Sequence, residues 1–180
     1  MQYWLWRMVS ALVSRLPARA GYAIAVVAGT VWYYGWPRGR RSMYQNYQRV
    51  LQTKDAHVLR RTSKSSLINY SRYLADFVRF PTIGRKEIVG LVTGRESFAA
   101  LDAALERGKG AIIVCMHFGN WDIGAGAAAA RGYPLAVVAE TFSDPRLDHM
   151  VLESRERLGM NVIKMERAGP SMLRVLKQNG

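Results

Sequence analysis

Short apolar runs recur along the second half of this sequence, and they restrict the fold more than any other feature does. Residues 111–116 (AIIVCM) form a continuous apolar run between Gly110 and His117, as expected of a central buried strand. Residues 135–139 and 161–164 predict two further strands. Because parallel strands need long crossover connections, the spacing of these runs leaves room for helices between them.

Helical patterns do occupy the intervening segments. The predicted helices of this half are 96–107, 121–131, 145–158 and 170–177, with one more short strand before them at 87–92. Alternation of strand and helix favours an α/β domain with a largely parallel or mixed sheet and flanking helices. The last residues, LKQNG, end a helix where another strand normally follows, so we expect the α/β core to be incomplete at its C-terminal end.

The first half contains only helical patterns. Predicted helices span residues 2–16, 19–35, 41–52 and 55–80, with a basic turn at 37–41. Prolines follow three of these helices, where they end the helical pattern: Pro17, Pro37 and Pro81. The sequence therefore predicts a helical segment at 1–80 and an α/β core at 81–180.

Positive charge is concentrated in the helical half. The formal net charge of the chain is +13. Residues 1–90 contain 15 Lys/Arg and 3 Asp/Glu. Residues 91–180 contain 11 Lys/Arg and 10 Asp/Glu. A surface this basic binds phosphates, so the candidate partners are nucleic acid and anionic lipid. The single cysteine, Cys115, excludes a disulfide framework and a multi-cysteine zinc site, and we expect it to be buried in the strand.

Apolar and aromatic residues accompany the positive charge and favour lipid over nucleic acid. No charge occurs between Arg19 and Arg38, and that stretch ends in Trp and Tyr with arginines just outside it, as is typical of a membrane interface. The uncharged residues 20–37 fall just short of the ~20 residues that cross a bilayer. A monotopic helix is favoured over a single span, and a buried core helix is the alternative. We expect the chain at the cytoplasmic face of the plasma (inner) membrane.

The candidate catalytic site is the hexapeptide HFGNWD at residues 117–122. It begins where the strongest predicted strand ends, and catalytic groups gather at the carboxyl ends of strands in open α/β sheets. Asp122 lies in the first turn of the next helix, from which its carboxylate can orient the His117 imidazole. No nucleophilic side chain stands out, so the pair suggests a base acting on a substrate hydroxyl. The spacing alone leaves a structural histidine as the alternative.

Three stretches of the sequence resemble one known family. RGKGAIIVCMHFGNWDIGAGAAA, at 107–129, resembles the H-x-x-x-x-D/E block of the lysophospholipid acyltransferase superfamily. The resemblance is to the branch of lipid A biosynthesis acyltransferases and phosphatidylinositol mannoside acyltransferases. LPARAGYAIAVVAGTVWYYGWPRGRRSMYQNYQRVL, at 16–51, resembles the membrane-associating segment of that branch, and VVAETFSDPRLDHMVLESRERLGMNVI, at 137–163, resembles its second conserved region.

The resemblance implies a glycerolipid acyltransferase-like fold and an O-acyltransferase activity. In this family His117 would be the general base on an acceptor hydroxyl, and Asp122 would orient and charge-balance it. The acyl donor would be the thioester of acyl-CoA or an acyl-carrier protein, with no other cofactor and no metal. The acceptor would be a glycolipid or lysophospholipid.

Four further residues are expected to bind substrate. Gly119 and Asn120 lie at the turn before a helix, where backbone N–H groups can face a developing oxyanion or the donor phosphates. The resemblance implies that Glu140 and Arg155 contact the acceptor headgroup. The aspartate at position 122 and the Ala139–Glu140 pair favour the phosphatidylinositol mannoside branch over the lipid A branch.

Two other functions compete with this interpretation. One is a non-enzymatic protein that binds membranes through its basic half. The other is a dinucleotide-binding domain, since Gly124, Gly126 and Ala129 fit the G-x-G-x-x-A spacing. That fingerprint belongs in the tight turn directly after a strand, whereas these residues fall within a predicted helix. Close packing of a helix on a sheet explains them better.

Overall fold

The structure is a computed structural model that describes residues 2–92 and 96–177. The chain divides into two compact units. One unit comprises Met8–Arg79, and the other comprises Met1–Arg7 together with Phe80–Gly180. We describe each unit by itself.

The first unit is helical, as the sequence predicts. Its elements are α1 (Gln2–Ser14, whose first residues belong to the other unit), α2 (Ala18–Gly35), α3 (Pro37–Val50) and α4 (Ala56–Arg79). Helix α2 packs against α4, and its buried face carries small residues spaced four apart, namely Gly21, Ala25 and Gly29. A Cβ on Gly29 would meet Ser71 and Ile68 of α4, whereas a Cβ on Gly21 would meet Val13 of α1. Small side chains let neighbouring helices approach closely, which explains the position of these residues. Among the described residues, no helix combines the length and apolar character that a bilayer crossing requires.

The predicted basic turn at 37–41 is wrong, because α3 already begins at Pro37. Proline suits the first position of a helix, since its missing N–H would have no partner there and its φ is already helical. A Cβ on Gly39 would collide with the Trp36 ring, so glycine lets this tryptophan fold over the first turn. The arginines of the segment are therefore presented on a helix.

Close packing of α2 on α4 gives the first testable prediction. A Cβ on Gly29 would lie 2.7 Å from Ser71 Oγ and 3.0 Å from Ile68 Cα, a backbone atom that cannot move aside. We expect Gly29→Val to lower the free energy of unfolding by about 2–3 kcal/mol. Chemical denaturation followed by circular dichroism measures this change. Gly35→Val is the control, because a Cβ there meets no atom within 4 Å; equal losses in both variants would contradict the packing argument.

The second unit combines helices with a small parallel sheet. Its elements are α5 (Arg85–Leu91), α6 (Glu96–Leu105), α7 (Trp121–Ala130), β1 (Ala136–Ala139), α8 (Pro145–Leu158), β2 (Asn161–Lys164) and α9 (Ala168–Lys177). Strands β1 and β2 pair in parallel, with Ala136 opposite Asn161 and Ala139 opposite Lys164. The α/β class and the parallel pairing are confirmed for these two strands.

The core of this unit lies between the helices and next to the sheet. Its most buried members are Phe80, Ile83, Ile88, Leu158 and Met160, with Ile123 and Ala129 of α7 packed among them. Helix α7 is rich in alanine and glycine, and this composition brings it close to its neighbours. A Cβ on Gly126 would collide with Ile88 of α5, so the smallest residue is needed there. The core thus holds α7, whose first two residues end the candidate catalytic hexapeptide, in a defined place.

Two predicted strands of this half are wrong. Residues 87–92 fall almost entirely in helix α5, where Ile88 is fully buried and Glu87 lies in the favourable first turn. Residues 111–116 form no strand and are largely exposed; Val114 is 92% exposed. A strand persists only where a neighbour accepts its hydrogen bonds, and in the described part of the chain the sheet consists of β1 and β2. Cys115 is consequently exposed, so its predicted burial is also wrong.

Candidate functional site

His117 lies in the exposed irregular segment directly before α7. Its ring meets Trp121 edge to face, with the two centroids 4.5 Å apart. Within residues 2–92 and 96–177, His117 makes no hydrogen bond and no ion pair. The imidazole is therefore held on one side by an indole and is open to solvent for a substrate.

The turn between His117 and α7 is built from Gly119 and Asn120. Gly119 has a φ of 71°, in the left-handed region where glycine is favoured. Asn120 is the N-cap of α7, and its Oδ1 accepts a hydrogen bond from the Ile123 N–H at 3.1 Å. Both residues shape the start of the helix. Their predicted contacts with substrate stay predictions.

Asp122 lies in the first turn of α7 and is buried, with 5% of its surface exposed. Its Oδ1 accepts a hydrogen bond from Arg155 Nη2 at 2.9 Å. Arg155 comes from the last turn of α8, and its side chain is itself only 15% exposed. This partly buried ion pair joins α7 to α8.

The structure thus brings Asp122 to Arg155, and it records no hydrogen bond between Asp122 and His117 in the described residues. The two members of the predicted dyad lie on either side of the same turn, His117 before it and Asp122 after it. Their direct pairing stays a prediction. The contact of Asp122 with Arg155 could not be predicted from the sequence, because the two residues are 33 positions apart and no spacing rule links them.

A shallow cleft lies near the ends of β1 and β2. Its lining includes Glu140, Thr141, Asp148, Arg155 and Lys164. Glu140 and Arg155, which the resemblance implies as headgroup contacts, are therefore brought to one cleft. Thr141, Asp148 and Lys164 are not among the predicted site residues, although Thr141 comes just after a predicted strand and Lys164 ends one.

Two charged groups in the cleft, Asp148 and Lys164, are paired with each other. Asp148 accepts hydrogen bonds from the Phe142 N–H at 3.0 Å and from Lys164 Nζ at 3.2 Å. Desolvation acts to raise the pKa of the Asp148 carboxyl, but these two donors outweigh it and hold the pKa below its ordinary value. Thr141 donates a hydrogen bond to Glu166 at 2.7 Å, and this bond lowers the pKa of Glu166. The cleft therefore presents the Thr141 hydroxyl and charges of both signs.

The structure disfavours a dinucleotide fingerprint. Gly124 and Gly126 both lie inside α7, whereas a phosphate-binding glycine loop lies in the turn between a strand and a helix. Gly126 faces Ile88 and Leu158 in the core, so packing explains it.

Comparison with known proteins agrees with the resemblance. Residues 1–180 match the model of the bacterial lipid A biosynthesis acyltransferase family. A phosphatidylinositol mannoside acyltransferase of Mycobacterium tuberculosis strain H37Rv is 30% identical over 137 residues, covering 74% of this chain and 42% of that protein. A protein of the same name from Mycolicibacterium smegmatis is 30% identical over 164 residues, covering 89% of this chain and 50% of that protein.

The chain spans about half the length of the curated relatives it matches. The family match nevertheless covers the whole chain and includes the hexapeptide at 117–122. The chain therefore belongs to the bacterial lipid A biosynthesis acyltransferase family.

Proposed function

We propose that this protein transfers a fatty acyl group from an acyl thioester to a hydroxyl of a glycolipid. The observation that carries this proposal is the family match over residues 1–180, within which an exposed histidine precedes a buried aspartate at the start of α7. The names of the relatives favour a phosphatidylinositol mannoside as the acceptor. A lysophospholipid acceptor uses the same chemistry and is the second possibility for the assay.

His117 is the proposed general base. Its free imidazole nitrogen takes the proton from the acceptor hydroxyl as the oxygen attacks the thioester carbonyl, and a C–O bond forms. The C–S bond then breaks, and the departing thiolate takes the proton from the imidazolium. Asp122 orients the imidazole and stabilises its positive charge. Catalytic hydrogen bonds are often long or poorly aligned before substrates bind, so the unpaired His117 is compatible with this role.

The remaining predicted residues border the substrates in this proposal. We place the acceptor headgroup over the small cleft lined by Glu140 and Arg155, because the charged groups there and the Thr141 hydroxyl suit a polyhydroxylated, phosphate-bearing molecule. Gly119 and Asn120 begin α7, where backbone N–H groups favour negative charge on the donor or on the oxyanion. The donor is acyl-CoA or an acyl-carrier protein.

A membrane surface is the proposed location of the reaction. Helix α2 buries its small-residue face against α4 and exposes an apolar face on the other side, in which Ile24, Val27, Val31 and Tyr34 are each more than half exposed. A helix that is apolar on every face suits lipid better than water. Lys64 Nζ lies 5.4 Å from the Tyr34 ring, so a cation stands at one end of this face.

The charge of the first unit supports an anionic lipid surface. Residues 8–79 contain 12 Lys/Arg and two acids, Asp55 and Asp76. Both acids are engaged internally: Asp55 caps α4 through the N–H groups of His57 and Val58, and Asp76 accepts a hydrogen bond from Tyr22 at 2.7 Å. This excess of positive charge over negative charge favours binding to anionic lipid headgroups. We place the protein at the cytoplasmic face of the plasma membrane, where acyl thioesters are available.

Acyl transfer from a radiolabelled donor tests this function. The protein expressed from its complete reading frame is incubated with labelled acyl-CoA, or with labelled acyl-carrier protein, and with a lipid extract containing phosphatidylinositol mannosides. We expect label in a more acylated mannoside, and base-labile release of the label would identify an ester. No labelled lipid with either donor would contradict the proposed enzyme and favour a membrane-binding protein without activity.

A further inference from the structure

We propose that Arg155 is a positioning residue that acts on the reaction through Asp122. This inference rests on the proposed function, and it gives Arg155 a task different from contact with the acceptor headgroup. The observation behind it is the 2.9 Å hydrogen bond from Arg155 Nη2 to Asp122 Oδ1, with both side chains largely removed from solvent.

A buried carboxylate needs a partner for its charge. Asp122 is 5% exposed, and a charge at such a site is costly unless it is paired and hydrogen-bonded. The Arg155 guanidinium supplies a permanent positive charge 2.9 Å from Asp122 Oδ1 and so offsets this cost. Arg155 therefore supports the carboxylate that the proposed dyad requires.

Arg155 also limits where the carboxylate can lie. Its backbone belongs to the last turn of α8, where Leu158 is buried and the Arg155 carbonyl accepts a hydrogen bond from the Met160 N–H at 3.1 Å. The helix ends at Gly159 in the left-handed conformation, which fixes this turn. A carboxylate has about four acceptor sites, and the bond to Arg155 occupies one of them, on Oδ1.

The two roles of Arg155 predict different kinetics. If Arg155 mainly holds the acceptor headgroup, its replacement raises the acceptor KM. The fold-changes caused by replacing Arg155 and by replacing Asp122 then multiply in the double variant. If it acts through Asp122, its loss lowers kcat, and this loss disappears once Asp122 is already changed, because the two residues then form one unit.

The experiment is a double-mutant cycle in the protein expressed from its complete reading frame. We expect Arg155→Met to lower kcat about 100-fold, with the acceptor KM changed less than about threefold. We expect the kcat of Arg155→Lys to be about tenfold higher than that of Arg155→Met, because lysine keeps the positive charge but lacks the planar guanidinium. We expect the double variant Asp122→Asn/Arg155→Met to have the kcat of Asp122→Asn alone, within about twofold.

Two controls separate positioning from folding. Arg155→Met removes the cation from a buried carboxylate and is expected to lower the melting temperature, whereas the double variant removes both charges and should regain it. Arg146→Met is the matched control, since Arg146 pairs with Asp144 on the same helix at an exposed site, and it should leave kcat unchanged.

Each contrary result has its own meaning. Multiplicative effects in the double variant, or a raised acceptor KM at unchanged kcat, would overturn the positioning role and return Arg155 to headgroup binding. Failure of the wild-type protein to transfer label with either donor would overturn the proposed function, and the positioning role with it.

Discussion

Replacing His117 with alanine is expected to lower kcat for acyl transfer by about 10²–10⁴-fold, the usual contribution of a general base. The loss should appear in kcat more than in the KM for either substrate, because the proton leaves the acceptor hydroxyl only as the transition state forms. The initial rate of label transfer from acyl-CoA or acyl-carrier protein to phosphatidylinositol mannoside measures this change.

His149→Ala is the matched control for this variant. His149 is also an exposed histidine of the second unit, but it lies in the middle of α8 and outside the hexapeptide. Both substitutions remove an exposed imidazole, so neither should change the free energy of unfolding by more than about 0.5 kcal/mol. Equal activity of His117→Ala and wild type would show that the histidine is structural.

Placing aspartates on the exposed face of α2 is expected to release the protein from anionic vesicles. Val27 and Val31 are 64% and 67% exposed and belong to the apolar face opposite α4. Burying one valine side chain in lipid contributes about 1.5 kcal/mol to the free energy of binding. Removing two of them should therefore weaken binding by about 3 kcal/mol, which lowers the partition coefficient roughly 100-fold. Sedimentation with vesicles containing phosphatidylinositol or phosphatidylglycerol measures the bound fraction of Val27→Asp/Val31→Asp.

The control for this variant keeps the same change of charge. Val50→Asp/Val58→Asp places two aspartates at exposed valines of α3 and α4, away from the α2 face. It should lose only the electrostatic part of the binding, about 1 kcal/mol per charge, and that loss should vanish at high salt. Equal release of the two double variants at high salt would contradict insertion of α2.

The helices of the first unit could be predicted to within a few residues because they depend on local signals. Proline at 17 and 37 and the apolar periodicity of α4 act within one or two turns of the chain. The exception is the start of α3, where a basic run containing Pro37 and Gly39 suggested a turn. The stacking of Trp36 over Gly39 is a contact of side chain with backbone that composition does not reveal.

Strands were predicted less well, because a strand depends on its neighbours. β1 and β2 were predicted correctly and pair with each other. Residues 111–116 have the stronger strand composition, yet in the described structure they lie exposed beside no partner strand. Strand propensity describes how well side chains fit a sheet face and cannot supply the adjacent hydrogen-bonding edge.

Some features of the candidate site likewise depend on local sequence, and others depend on tertiary contacts. The sequence by itself determined the family, the order of the helices, the basic apolar character of the first unit and the position of His117 and Asp122 around a helix start. Only the tertiary structure decided that Asp122 is buried against Arg155 and that Glu140 and Arg155 line one cleft. Periodicity and helix signals act over a few residues, whereas an ion pair between residues 33 positions apart exists only once α7 and α8 have packed around a common core.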